Sequence, residues 1–241
     1  MDATTAASLT PAKLGPRRLL PLLMAMTAIG PATLNILVPA LPGLVARLAS
    51  DTGTAQLTLS LYLLSLAAAQ LLLGPLSDRF GRRPVVLAGL TLDVVASLGA
   101  IAASSIRALI MARVIQAVGA STGIVIGRAI IRDLYERERA AAMIGLVTTA
   151  MVISPLIGGI LDTAFGWEAI FLFIAAFSGA VLLWAAAVLP ETRPATIANA
   201  PGVLVEQWRA LTAPNFMAAS CAARSVRRRS LRFSAAARTS W

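Results

Sequence analysis

Apolar positions along the chain gather into six long runs, each with enough residues to cross a bilayer as a helix. A spanning helix needs about 20 mostly apolar residues. The runs are rich in Leu, Ala and Val and carry almost no charge, whereas a soluble amphipathic helix would show a polar stripe. The pattern therefore predicts an all-α membrane protein with spans at residues 19–41, 57–76, 84–103, 106–126, 140–161 and 169–189.

Composition excludes several classes of function. Apolar residues make up 58% of the 241 residues and charged residues only 13%, about half the usual charged share of a soluble domain. The chain has no His and a single cysteine, Cys221, which excludes an internal disulfide, a His/Cys zinc site and a His-based triad. A membrane-embedded enzyme is the alternative, but the spans hold no Ser, Asp or Glu cluster. We therefore expect no enzyme, no metal and no cofactor.

The basic residues between the spans alternate strongly from one side of the bundle to the other. Ten Lys and Arg fall before the first span and in the second and fourth connections, and two fall in the first and third. By the positive-inside rule, this asymmetry predicts that both ends of the bundle lie in the cytoplasm.

A shift of 85 residues reveals a faint internal repeat, and it relates the connection after the second span to the connection after the fifth. By the charge count these connections lie on opposite faces, which predicts an inverted 3+3 repeat. The matching pairs are Gly74 and Gly159, Leu76 and Leu161, Phe80 and Phe165, and Gly81 and Gly166.

The connection between the second and third spans carries the sharpest local pattern, GPLSDRFGRRPVVL. Gly74 is expected to let the second span pack closely against a neighbour, and Gly81 to permit a tight turn. A charge cluster at the membrane surface fits either a topology-setting loop or a gate. Its members are Asp78, Arg79, Arg82 and Arg83.

Two further spans carry unusual residues. In the fourth span, Arg113 and Gln116 are i,i+3 neighbours and share one helix face. A buried charge there needs a partner or a wet cavity, and the alternative is an arginine that snorkels to the membrane surface. In the fifth span, Pro155 is expected to kink the helix, while Gly158 and Gly159 allow close helix approach.

These motifs resemble those of the major facilitator superfamily. G-x-L-x-D-R-x-G-R-R resembles its signature loop, which implies that Asp78 and the nearby arginines hold a cytoplasmic gate. R-x-x-Q-x-x-G resembles its fourth-helix motif, linked to proton coupling. TTAMVISPLIGGIL resembles the antiporter motif of drug exporters, with Ser154 where that motif usually has Gly.

The segments VPALPGL, RAIIRDLY and SPLIGGIL are similar to the Bcr/CflA group of drug:proton antiporters. The resemblance implies the N-terminal half of a fold built from two six-helix halves, with substrate bound between them. It implies proton-coupled multidrug efflux of small amphiphilic compounds across a bacterial inner membrane, with no nucleic-acid partner. A half-length chain would need a second transporter half or a homodimer. The alternative is an inactive truncated fragment.

One departure from the family pattern concerns the proton site. Members usually have an acid in the first helix, where this chain has Asn35, which cannot take up a proton near neutral pH. Asp93 is the only acid inside a span; a proton role, a pairing within the bundle and a damaging substitution all remain open for it. The candidates for the transport cavity and proton coupling are Asn35, Gln70, Asp93, Arg113 and Gln116.

The predicted organisation has four parts: an N-terminal cytoplasmic segment, 1–18; the bundle, 19–189; a cytoplasmic linker, 190–220; and a basic tail, 221–241. The tail has six Arg and no acid, so it is expected to be disordered. It reads either as the product of a shifted reading frame or as a segment that binds anionic lipid or nucleic acid.

Overall fold

The computed structural model describes residues 16–134 and 137–189, and the side chains of 16–18, 132–144 and 146 are not part of that description. The predicted linker 190–220 and tail 221–241 lie outside the described residues. Within the described residues, six helical segments are long and apolar enough to span a membrane, which confirms the predicted all-α class and number of spans. The α-helices are α1 (Pro16–Ile36), α2 (Leu41–Arg47), α3 (Thr52–Phe80), α4 (Arg82–Ile101), α5 (Ile106–Leu134), α6 (Arg137–Phe165) and α7 (Trp167–Val188).

The first span is not the continuous helix that its apolar pattern predicts. α1 ends at Ile36, a 3-10 turn covers Val38–Ala40, and the short α2 continues to Arg47. Proline lies in the opening positions of both the turn and α2. Because proline lacks a backbone N–H, it starts a helical segment easily but interrupts one that is already under way.

The predicted loop between the second and third spans is almost entirely helical, so the loop assignment was wrong. α3 continues to Phe80 and α4 begins at Arg82, which leaves Gly81 as the whole connection. Gly81 has φ 96° and ψ 152°, a conformation essentially restricted to glycine. The apolar pattern underestimated the length of these helices, because their polar ends extend beyond the apolar run.

The connection between α6 and α7 repeats this geometry. Gly166 is again the single residue between two helices, with φ 89° and ψ 170°. The Gly81 amide donates to the Ser77 carbonyl and the Gly166 amide to the Asp162 carbonyl, each at 3.0 Å. All these positions are related by the 85-residue shift.

Helix packing follows the same exchange of halves. α5 packs against α3 and α4, while α1 packs against α6 and α7; α1 also contacts α5, and α4 contacts α7. Exchanging the first, second and third spans with the fourth, fifth and sixth turns this set of contacts into itself. The packing therefore supports the predicted 3+3 repeat.

Candidate functional site

Polar side chains form a layer through the middle of the bundle, between two buried apolar clusters. On α1, one cluster ends at Ile29 and the other begins at Ile36; on α5, the second ends at Ala112 and the first resumes at Ala120. α4 and α7 are divided in the same way. The side chains of this polar layer are Thr33, Tyr62, Asp93, Ser97, Arg113, Gln116 and Ser178, all buried.

Arg113 lies at the centre of the polar layer and is fully buried, so it does not snorkel. Its Nη1 donates to Gln116 Oε1 at 2.7 Å, which confirms the shared helix face predicted from their spacing. Nη1 and Nη2 also reach the Thr33 carbonyl of α1, at 3.3 and 3.4 Å. The guanidinium carbon lies 4.1 Å from the ring centroid of Tyr62, a cation–π contact in a dry site.

Gln116 extends the hydrogen bonding from α5 to α4. Its Nε2 donates to Ser97 Oγ at 2.6 Å, and that hydroxyl donates to the Asp93 carbonyl at 2.7 Å. Ser178 of α7 donates to Asp93 Oδ2 at 2.5 Å. Asp93 Oδ1 has no hydrogen-bond partner among the described residues. One continuous hydrogen-bonded path therefore leads from Arg113, the only fully buried arginine of the described part of the chain, through Gln116 and Ser97 to the backbone carbonyl of Asp93. The carboxyl of Asp93 is bonded by Ser178.

The glycine of R-x-x-Q-x-x-G, Gly119, is where α5 meets α4 beside Asp93. A Cβ at this position would lie 2.6 Å from the Asp93 backbone nitrogen and from the Gly89 carbonyl oxygen. Four residues further along, a Cβ on Gly123 would overlap the Met26 carbonyl of α1. Small residues thus allow α5 to touch two helices at backbone distance.

Asn35 and Gln70 lie outside this hydrogen-bonded set. Both are half-buried. Asn35 Nδ2 donates to the Pro31 carbonyl of its own helix at 2.7 Å. Gln70 forms no side-chain hydrogen bond with the described residues. Sequence reasoning placed all five cavity candidates together, whereas the structure joins only Asp93, Arg113 and Gln116.

The predicted gate residues lie on two helices at one end of the bundle. Asp78 is half-buried near the end of α3, and Arg82 is buried at the start of α4. Arg79 lies over the Phe80 ring, and Arg83 donates to the Ala186 carbonyl of α7 at 2.8 Å. Gly74 does not serve close packing, because a Cβ there would meet nothing within 4 Å.

α6 carries the antiporter-like residues. Pro155 lies inside the helix, and Ser154 donates to the Met151 carbonyl at 3.0 Å. A Cβ on Gly158 would overlap the Ile36 carbonyl at the end of α1, so Gly158 allows the predicted close approach. Gly159 makes only an ordinary contact, since its Cβ would lie 3.8 Å from Pro39.

Sequence reasoning missed Tyr62, Ser97 and Ser178. Tyr62 reads as one more apolar residue of α3, yet its hydroxyl donates to the Gly30 carbonyl at 3.0 Å and its ring faces Arg113. Ser178 could have been found by applying the 85-residue shift to Asp93. Among the described residues, no cluster of three or more His, Cys, Asp or Glu could hold a metal.

Comparison with known proteins agrees with this architecture. The family profile described as Major Facilitator Superfamily matches residues 23–227. Multidrug resistance protein D of Escherichia coli (strain K12) is 38% identical over 180 residues, which cover 73% of this chain and 46% of that protein. Chloramphenicol resistance protein of Pseudomonas aeruginosa is 40% identical over 191 residues, covering 75% and 43%.

The fold also occurs in a solved structure. The crystal structure of the human organic anion transporter MFSD10 (TETRAN) aligns with a TM-score of 0.61 at 21% identity, and the match covers 80% of this chain and 54% of that chain. The chain spans less than half the length of the curated relatives named above. The chain belongs to the major facilitator superfamily.

Proposed function

We propose that the chain is the N-terminal half of a proton-coupled exporter of small amphiphilic drugs, of the Bcr/CflA type. The observation that carries this proposal is the buried Arg113–Gln116 pair, held in the middle of the bundle by the Thr33 carbonyl and the Tyr62 ring. The relatives named for multidrug and chloramphenicol resistance support the substrate class.

The charge pattern supports the orientation. With both ends of the bundle in the cytoplasm of a bacterial inner membrane, the Gly81 connection lies on the cytoplasmic side. Arg79, Arg82 and Arg83 then belong to the gate on that side, and Asp78 is free to pair differently as the bundle moves. Arg47 and Glu168, 3.5 Å apart, form an exposed ion pair at the opposite end.

The substrate path is indicated by polar side chains that are not hydrogen-bonded within the network around Arg113. Asn35 and Gln70 are half-buried, and neither is bound into the network around Arg113. They are suited to contact an amphiphilic substrate between this half and a second one. Active transport therefore requires a second transporter half or a second copy of this chain.

Drug accumulation in bacteria that express the full chain tests the proposal. Cells should accumulate less of a fluorescent amphiphile than cells with empty vector, and the difference should collapse when an ionophore removes the proton gradient. Arg113→Lys should abolish the difference, because lysine cannot bond Gln116 and the Thr33 carbonyl together while stacking on Tyr62. Arg107→Lys is the matched control, since Arg107 is exposed on the same helix.

An inactive truncated fragment is the second candidate. Co-expression with the C-terminal half of a relative separates the two. Efflux by the chain alone supports a working half, and efflux only on co-expression supports a fragment. If neither condition gives efflux with the protein present in the membrane, the exporter proposal fails.

A further inference from the structure

We propose that Asp93 is the proton-binding group of this bundle, and that its change of charge acts directly on Arg113. The part of this interaction in transport rests on the proposed function, whereas proton binding at Asp93 can be measured without transport.

The position of Asp93 carries the first part of the argument. It is the twelfth of the 20 residues of α4, so it lies near the middle of the span, and its side chain has no exposed surface. A charged acid at this depth is costly unless it is paired. Among the described residues no salt bridge involves Asp93.

The hydrogen bonding around Asp93 carries the second part. Ser178 donates to Oδ2, while Oδ1 has no partner among the described residues. Buried polar atoms are nearly always bonded, so a charged carboxylate with one unbonded oxygen is unfavourable at this depth. A proton on Oδ1 removes that charge without moving a helix.

The surroundings of Asp93 offer a single countercharge. Arg113 on α5 and the phenol of Tyr62 on α3 are the titratable groups that interact with it. α7 contributes Ser178, and the described side chains of α1 include no charged group. A change of charge at Asp93 therefore acts on Arg113 and on no second cation of the polar layer.

The interaction between Asp93 and Arg113 has two arrangements. With a proton bound to Oδ1, Asp93 is neutral and Arg113 stays with Gln116 and the Thr33 carbonyl. When that O–H bond breaks and the proton returns to water, the carboxylate attracts the guanidinium. Because Arg113 bonds the Thr33 carbonyl of α1, a shift of the guanidinium toward Asp93 changes the α1–α5 contact.

Infrared difference spectroscopy of the full chain in lipid vesicles tests the inference, because a protonated carboxyl has its own carbonyl stretching band. We expect one such band to appear and vanish reversibly with pH in the native chain. Asp93→Asn should lose it, and Asp51→Asn, which alters an exposed acid outside the spans, should keep it. Ser178→Ala should keep the band but shift its frequency, because the Oδ2 hydrogen bond is gone.

The effect on Arg113 has its own readout. With isotope-labelled arginine, guanidinium bands that respond to the titration in the native chain should be silent in Asp93→Asn. Absence of any band sensitive to both Asp93→Asn and Ser178→Ala over the pH range in which the chain stays folded overturns proton binding at Asp93. A titrating carboxyl with unresponsive arginines overturns the action of Asp93 on Arg113. A titrating carboxyl in a chain without efflux supports the inference while the proposed exporter function fails.

Discussion

Asp93 and Ser178 lie 85 residues apart and are joined by a 2.5 Å hydrogen bond. The same shift relates Gly81 to Gly166, the two single-residue connections. The shift relates α4 to α7, which pack against each other. A bond between two residues related by the shift is what the predicted 3+3 repeat would produce where these helices meet.

Because α4 and α5 cross closely, adding a single methyl group at the crossing should clearly lower the stability of the bundle. Gly119→Ala places a Cβ 2.6 Å from the Asp93 backbone nitrogen, and backbone cannot rotate away, so we expect a loss of about 1–3 kcal/mol in the free energy of unfolding. Gly99→Ala on α4 is the control, because nothing lies within 4 Å of its Cβ. Unfolding in mixed micelles measures both; equal stability of the two variants would contradict the packing described.

Replacing either of two adjacent glycines of α6 by alanine should change the stability of the bundle in opposite directions. Gly158→Ala is expected to lower stability by about 1–3 kcal/mol, because its Cβ overlaps the Ile36 carbonyl and forces α1 and α6 apart. Gly159→Ala meets only Pro39 at 3.8 Å and gains helix propensity of up to about 1 kcal/mol. Thermal unfolding followed by circular dichroism should rank them in that order, and the reverse order would show that α6 does not contact α1 through Gly158.

Tyr62 contributes through its ring more than through its hydroxyl. Tyr62→Phe removes the bond to the Gly30 carbonyl and should cost about 0.5–1.5 kcal/mol of unfolding free energy. Tyr62→Leu also removes the ring over Arg113, a further loss of about 2 kcal/mol for a desolvated cation–π contact. A double-mutant cycle with Arg113→Gln should show coupling for leucine and little for phenylalanine.

The stability of the first turn of α3 should depend on pH through the carboxylate of Asp51. Its carboxylate accepts from the Thr54 hydroxyl at 2.9 Å and the Thr54 amide at 2.8 Å, and these bonds hold the pKa of Asp51 below its usual value. A lowered pKa in the folded state means that the stabilisation is present above the unfolded-state pKa and disappears as pH falls through the folded one.

Amide exchange at Thr54, corrected for its intrinsic pH dependence, measures this cap. Protection should fall on acidification in the native chain. In Asp51→Asn, which caps a helix without titrating, protection should be independent of pH over the same range. Parallel pH profiles for the two chains would show that the carboxylate bonds do not control the end of α3.

The apolar pattern was sufficient to predict the number, order and approximate position of the spans, because burial in lipid demands apolar residues along a whole helix. It was insufficient for their ends. Ser77 and Asp78 are polar yet helical, and the break at Val38–Ala40 is apolar yet not α-helical. Hydropathy indicates whether a segment lies in lipid or in water. Proline and glycine decide where the backbone hydrogen bonding of its helix ends.

Within the polar layer, only a contact along one helix was predicted. Arg113 and Gln116 are three residues apart, so helical geometry alone brings them together. Ser97 comes from another helix and has no distinctive sequence pattern, so its place beside Gln116 depended on tertiary packing. Ser178 is marked in the sequence only by its spacing of 85 residues from Asp93. Asn35 and Gln70 were grouped with them on resemblance, and packing places them outside the network.

The single glycine between α3 and α4, like its counterpart between α6 and α7, leaves no slack in the backbone. A loop of several residues would let neighbouring helices slide past each other independently, whereas a connection of one residue does not. Any tilt of α3 must drag the end of α4 with it, and α6 must drag α7 likewise. The adjoining ends of α3 and α4 are thus tied to each other through Gly81, and those of α6 and α7 through Gly166.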